Sequence, residues 1–238
     1  MGKQNRKNRT AYVDESYSIW DAVFTIMRTV SVALLIISVS IAVPLLWRGF
    51  YYMHINVLHL DEITPWNVYE IREAFDQMMD YCMRGAAFST GVLKWSEEGM
   101  QHFEDCRRLF QFDIHVLIVN TMLTAALYAI RRLGIVRELR PKGRGPLFWG
   151  GLIPVILLAV TGTAVCVADF DKAFVVFHTL FFPGKTNWLF DPAADEIIRI
   201  LPEVYFRNCA ILIAAVMLLL SLILIAADIR KGNTAKSA

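Results

Sequence analysis

Ala210–Ala227 reads AILIAAVMLLLSLILIAA, eighteen residues without a charge, a proline or a glycine. A bilayer core of about 30 Å takes roughly 20 apolar residues in a helix, so this run reads as a membrane span. Three comparable runs lie upstream, at Thr29–Trp47, Ile114–Ile130 and Leu147–Ala168. The 238 residues are 56% hydrophobic and 19% charged, whereas a soluble domain carries about 25% charge. The first run has no small-residue cleavage site behind a short apolar core and continues into Pro44-Leu45-Leu46-Trp47. It is read as a retained anchor, not a signal peptide. The expectation is an all-α membrane protein with four transmembrane helices, over 29–47, 114–130, 147–168 and 208–227.

Charge sets the expected orientation. Segments 1–28, 131–146 and 228–238 together hold 14 Lys and Arg against 5 acids. The two long connections, 48–113 and 169–207, hold 10 against 17. By the positive-inside rule both termini and the basic 131–146 linker face the cytoplasm, and both long connections form an extracytoplasmic cap. The basic stretches are expected to lie against anionic lipid, not nucleic acid, and Arg28, near the first span, is expected to snorkel.

Within the cap, Trp47 to Leu60 is aromatic and β-branched with partial alternation and reads as extended. Thr64-Pro65 reads as a helix start, with Val68, Ile71, Phe75, Met78 and Met79 recurring at helical spacing up to about Met83. Gly85 to Lys94 is expected to make a turn and a short strand. Ser96 followed by Glu97 and Glu98 is an N-cap with acids in the first turn, and that helix is expected to run on into the second span. In the second connection, Asp171 to Phe182 reads as helix, Asp191-Pro192 opens a short one, and Leu201-Pro202 leads into the last span. The cap therefore combines short helices with a few short strands.

Of five histidines, His54 and His59 sit among aromatics and His115 at the head of a span, where structural roles are the default. His102 and His178 differ in their neighbours. On a helix begun at Ser96, Glu98 and Asp105 fall four residues before and three after His102, flanking one imidazole with carboxylates. A carboxylate on one ring nitrogen fixes the tautomer and raises the basicity of the other. His178 shares an aromatic helix face with Phe174, Phe177 and Phe181. The chain contains no HExxH, no GxSxG and no phosphate-binding glycine loop, so no metal or cofactor is expected. Cys82 and Cys106 lie in the cap and Cys166 and Cys209 at membrane boundaries, with no CxxC pair. Small apolar filler is their default, and a single Cys82–Cys106 disulfide is an open alternative.

The segment SEEGMQHFEDCRRLF (Ser96–Phe110), the preceding MMDY (Met78–Tyr81), and the pieces FHTLFF, NWLFDP, ADEII and LPEVYF between Phe177 and Phe206 resemble the bacterial lipoprotein intramolecular transacylases. The resemblance extends over nearly the whole chain in order, spacing and topology. It departs at Gly99, where the family has an acid, and at Cys106 and Arg107, where it has valine and lysine.

The resemblance implies an acyltransferase acting within one substrate, a bacterial lipoprotein whose N-terminal cysteine carries a diacylglyceryl group. The sn-2 acyl chain moves from glycerol oxygen to the cysteine α-amine, so the substrate supplies its own nucleophile. Attack closes an eight-membered ring, and holding that bent conformer is worth effective molarities of roughly 10⁵–10⁸ M. By resemblance the catalytic pair is His102 and His178, one removing a proton from the amine and the other protonating the leaving glycerol oxygen. Glu97, Glu98, Asp105 and Asp191 are the expected supporting acids. Tyr81, Phe88, Phe181 and Trp188 are the expected walls of a dry pocket at the membrane surface. Three other readings compete: a thiol oxidoreductase using Cys82 and Cys106, a covalent acyltransferase with a cysteine nucleophile, and a non-catalytic scaffold or receptor.

Overall fold

The structure is a computed structural model that describes residues 18–237, with backbone alone at 166–168 and 235–237. The segment 1–17 and the side chain of Cys166 lie outside the described residues. Nine helices are described: α1 (Ile19–Leu46), α2 (Arg48–Val57), α3 (Leu60–Ile63), α4 (Val68–Arg84), α5 (Glu97–Arg132), α6 (Pro146–Ala168), α7 (Phe170–Phe181), α8 (Ile197–Ile200) and α9 (Glu203–Ser237). A 3-10 turn over Pro141–Gly143 precedes α6. Helices α1, α5, α6 and α9 are long and apolar enough to cross a membrane.

These four helices form the spanning bundle, with α1 against α5, α6 and α9, and α6 against α9. Their meeting faces are lined by Val32, Ile36 and Met217. Gly150 lets α6 approach α1, because a Cβ there would stand 2.7 Å from the Thr29 carbonyl oxygen. Outward faces stay apolar and exposed, including Val119, Met122, Leu219 and Leu222, an arrangement that only lipid can satisfy. Polar groups turn inward: Ser31 donates to Asn120 Oδ1 at 2.9 Å, and Asn120 Nδ2 returns a bond to the Ser31 carbonyl at 2.8 Å.

At the basic end, Asp21 closes a capping box with Ser18 and also accepts from the Arg137 backbone N–H at 2.7 Å. Arg28, Arg131 and Arg140 converge on Glu138, whose side chain is 9% exposed. Arg140 also pairs with buried Asp228 on α9. Buried charges persist only when paired in this way.

The other end carries a separate apolar core. Tyr51, Ile55, Leu60, Ile71, Phe75, Ile197, Ile200 and Tyr205 close around one another, each large side chain worth about 1.5–3 kcal/mol on burial. Tyr51 stacks on Phe75 at 3.7 Å and donates to the Ile200 carbonyl at 2.9 Å, so it ties both long connections together.

Among the described residues there is no strand. The segment expected to be extended, Trp47–Leu60, forms α2 and the start of α3, because Tyr51, His54 and Ile55 fall on one buried helical stripe. His59, at φ 50°, makes the break between them. Gly85–Lys94 is turn and irregular chain. Thr64 ends α3, and the cap of α4 is Asn67, whose side chain accepts from Tyr69 and Glu70 while Glu70 bonds back. Asp191-Pro192 opens a turn, and the next helix waits until Ile197. Helix α5 does run unbroken from its Ser96 cap for 36 residues.

Candidate active site

Helix α5 is about 54 Å long by its rise per residue, well beyond a hydrocarbon core of about 30 Å. Its apolar half is C-terminal, so His102, in the second turn, lies beyond the stretch apolar enough to span. His178 comes from α7, which returns from the end of α6. The two rings lie 5.7 Å apart between centroids, and both side chains are buried, at 5% and 7% exposure.

Aromatic rings wall the pair. Phe182 meets His102 edge-on at 5.0 Å and His178 at 5.7 Å. Phe190 meets His102 edge-on at 5.4 Å, Trp188 stacks on His178 at 4.7 Å, and Phe174 lies 4.1 Å from His178. Residues 174, 178 and 182 are spaced four apart and share one helical face. Phe181 falls on the neighbouring face with Phe177, 47% exposed, so the expected wall residue is replaced by Phe182. Tyr81 and Phe88 pack on each other and belong to the side of the cap core, where Phe88 touches Phe103.

The ring nitrogens are not equivalent. His178 Nδ1 faces the Phe174 carbonyl oxygen at 2.8 Å. A carbonyl only accepts, so Nδ1 carries the hydrogen and Nε2 of the neutral ring holds a free lone pair. Burial lowers the His178 pKa against this hydrogen bond, which acts to raise it. For His102, burial and then the neighbouring His178 push the pKa down to about 4 from 6.5, against a smaller opposing pull from Asp105. Both rings are therefore neutral near pH 7. His102 Nε2 lies 3.4 Å from Cys106 Sγ, and its Nδ1 is buried without a partner.

The four expected supporting acids make their hydrogen bonds and ion pairs with groups other than His102. Glu97 and Glu98 are exposed in the first turn of α5, Glu97 taking a bond from Gln101. Asp105 binds Lys185 Nζ and, at 3.4 Å, Asn187 Nδ2. Burial opposes its ionisation, but these partners hold its pKa below the usual carboxylate value. Asp191 shapes a turn by accepting from the Ala193 N–H at 2.9 Å. A second buried acid, Asp195, accepts from Ser96 N and Ser96 Oγ at 2.8–2.9 Å.

Asp105 and Asp195 thus fasten the connection between α7 and α8 onto α5 on either side of His102. In doing so they set Trp188 and Phe190 against the two rings. A Cβ on Gly99 would stand 2.8 Å from Asp195 Cγ and 3.2 Å from a Phe190 ring carbon, so the loop needs glycine there. Cys82, Cys106 and Cys209 are all free; burial raises the Cys106 thiol well above its ordinary value, the opposite of an activated nucleophile.

Four helices long and apolar enough to cross a membrane, with two buried histidines 5.7 Å apart inside an aromatic wall, define a multi-pass membrane protein with one candidate active site among its described residues. The family model described as lipoprotein intramolecular transacylase Lit matches residues 26–206. The chain belongs to this family, and it is an acyltransferase.

Among solved structures, the membrane integral lipoprotein intramolecular transacylase Lit from Bacillus cereus is 23% identical, with a TM-score of 0.81 over 92% of this chain and 98% of that one. Two variants of the same protein, with one histidine changed to arginine or to alanine, are 22% and 21% identical. They give TM-scores of 0.75 and 0.76 over 92% of this chain and 94% and 96% of theirs. These likenesses establish a shared fold. No curated protein sequence matches the chain.

Proposed function

We propose that this chain moves the sn-2 acyl chain of a diacylglyceryl-modified lipoprotein onto the α-amine of its N-terminal cysteine, with His178 as base and His102 as acid. The observation that carries this reading is the buried histidine pair, 5.7 Å apart and closed in by Phe174, Phe182, Trp188 and Phe190. His178 Nε2, with its lone pair free, takes a proton from the amine as the new N–C bond forms. His102 gives its N–H proton to the glycerol oxygen as the C–O bond breaks, while its other nitrogen takes up the proton that His178 received, so that no imidazolate is left. One proton leaves nitrogen and one reaches oxygen, so the pair returns to its starting state by passing a proton between the rings. Positioned acid–base groups of this kind contribute about 10²–10⁴-fold each.

The same reading puts both termini in the cytoplasm and the helical cap, residues 48–113 and 169–207, on the extracytoplasmic side. The charge distribution supports it, with net +9 on the inner segments and −7 on the outer ones. A site at the junction of cap and bilayer suits a substrate whose acyl chains stay in lipid.

The test is mass spectrometry of a lipoprotein N-terminal peptide from cells with no other route to N-acylation, expressing wild type, His102→Ala or His178→Ala. A peptide of unchanged total mass whose fragments carry N-acyl and monoacylglyceryl groups, found only with wild type, is the expected result. An unaltered diacylglyceryl peptide with well-expressed wild type overturns the proposal. Transfer that survives both substitutions overturns the two-histidine mechanism.

A further inference from the structure

Two buried polar atoms of the site have no partner in the protein: His102 Nδ1 and, on the loop that sets Trp188 against His178, Asn187 Oδ1. Asn187 lies between Lys185, which binds Asp105, and Trp188, which stacks on His178. Its orientation is fixed by chemistry. The ionised Asp105 carboxylate only accepts, so the amide NH₂ must face it, as it does at 3.4 Å. A flip would set amide oxygen against carboxylate oxygen. Oδ1 is therefore directed away from Asp105, a buried acceptor with no donor from the protein.

From this unpaired acceptor we infer that Asn187 is a substrate-positioning residue whose Oδ1 accepts an N–H of the substrate cysteine α-amine. The inference rests on the acyl transfer proposed above and completes the valence of the attacking atom. A neutral amine has two hydrogens and one lone pair besides its bond to Cα. One hydrogen goes to Asn187 Oδ1, the other to His178 Nε2, and the lone pair is left facing the sn-2 carbonyl. When the N–C bond forms, His178 removes its hydrogen and the glycerol oxygen leaves with a proton from His102. The product amide keeps one N–H, the one held by Asn187, so this contact persists from the bound substrate to the product.

The experiment measures binding of two unreactive lipopeptides at pH 8.5, both with an ether in place of the sn-2 ester. One carries the free α-amine and the other has hydrogen in its place. Wild type is expected to favour the amine by about a hundredfold, about tenfold for each of its two hydrogen bonds, to Asn187 and to His178. In Asn187→Leu and Asn187→Ala that preference falls about tenfold, to the share left by the His178 contact, while binding of the des-amino peptide is retained. Equal weakening of both peptides would mean that Asn187 only holds the loop, and it overturns the inference. So does a wild type that transfers the acyl chain in cells but does not distinguish the two ligands, a result that leaves the acyl-transfer reading standing. Absence of transfer by wild type removes that reading itself.

Discussion

Replacing Gly99 by alanine sets two effects of opposite sign against each other. Gly99 lies inside α5, where alanine is ordinarily the better residue by about 0.8–1.0 kcal/mol. Here the new methyl carbon meets Asp195 Cγ at 2.8 Å and a Phe190 ring carbon at 3.2 Å. Asp195 is 5% exposed and holds Ser96 through its backbone N–H and its hydroxyl. Overpacking of this kind costs about 1–3 kcal/mol, and hydrogen bonds to a charged acceptor are worth about 1.5–3 kcal/mol each. Partial loss of the pair, less the helix-propensity gain, leaves a net destabilisation of roughly 2 kcal/mol. For a chain of this size that corresponds to a fall of about 4–8 °C in Tm, measurable by thermal unfolding in detergent. Acyl transfer should fall with it, because Phe190 is displaced from His102. An unchanged or raised Tm would refute the argument that the loop packs directly on the glycine.

Three further outcomes follow from the same geometry. His102 has its folded pKa depressed from 6.5 to about 4, so the unfolded chain takes up the proton first. Stability is then full above pH 6.5 and falls between pH 6.5 and about 4; Tm measured at pH 7.5, 6 and 5 should show this slope, and His102→Phe should flatten it. Asp105→Ala releases Lys185 and Asn187, removing charge-assisted bonds worth about 1.5–3 kcal/mol, and is expected to speed tryptic cleavage after Lys185 while lowering turnover. Because Cys82 and Cys106 are free, dithiothreitol should change neither Tm nor transfer, and an acyl-thioester on the protein should be absent; a Tm that drops on reduction would contradict the unpaired thiols.

The bundle was legible in the sequence because lipid imposes a crude requirement: long uncharged runs such as Ala210–Ala227 have few alternatives. The unbroken course of α5 was legible for a similar reason, with Ser96 capping and no proline or glycine after Gly99 before Gly134. Segment 48–57 misled because its aromatic and β-branched residues favour strands locally. Burial of Tyr51, His54 and Ile55 under α4 and α8 overrides that preference, as tertiary packing does for β-propensity generally. The site failed to be read at the level of single neighbours. Phe181 and Phe182 are adjacent, and only the four-residue spacing from Phe174 through His178 separates the outward ring from the inward one. Asp105 looked like the partner of His102 because both sit on one helix, yet Lys185, eighty positions away in sequence, claims its carboxylate. Asp191 and Asp195 were likewise separable only by knowing which one reaches Ser96.

Because α5 carries His102 at one end and is apolar enough to cross the bilayer with the other, the depth of the proposed site and its direction are geared together. Each residue added between His102 and Ile114 would raise the ring by about 1.5 Å and turn it by about 100°. One insertion therefore swings His102 away from His178 almost without changing its height. Only an addition of about a full turn, near four residues, restores its aim, and by then the ring stands roughly 6 Å further from the membrane. The length of this arm is consequently quantised: a relative acting on a substrate held at another depth has to change by whole turns.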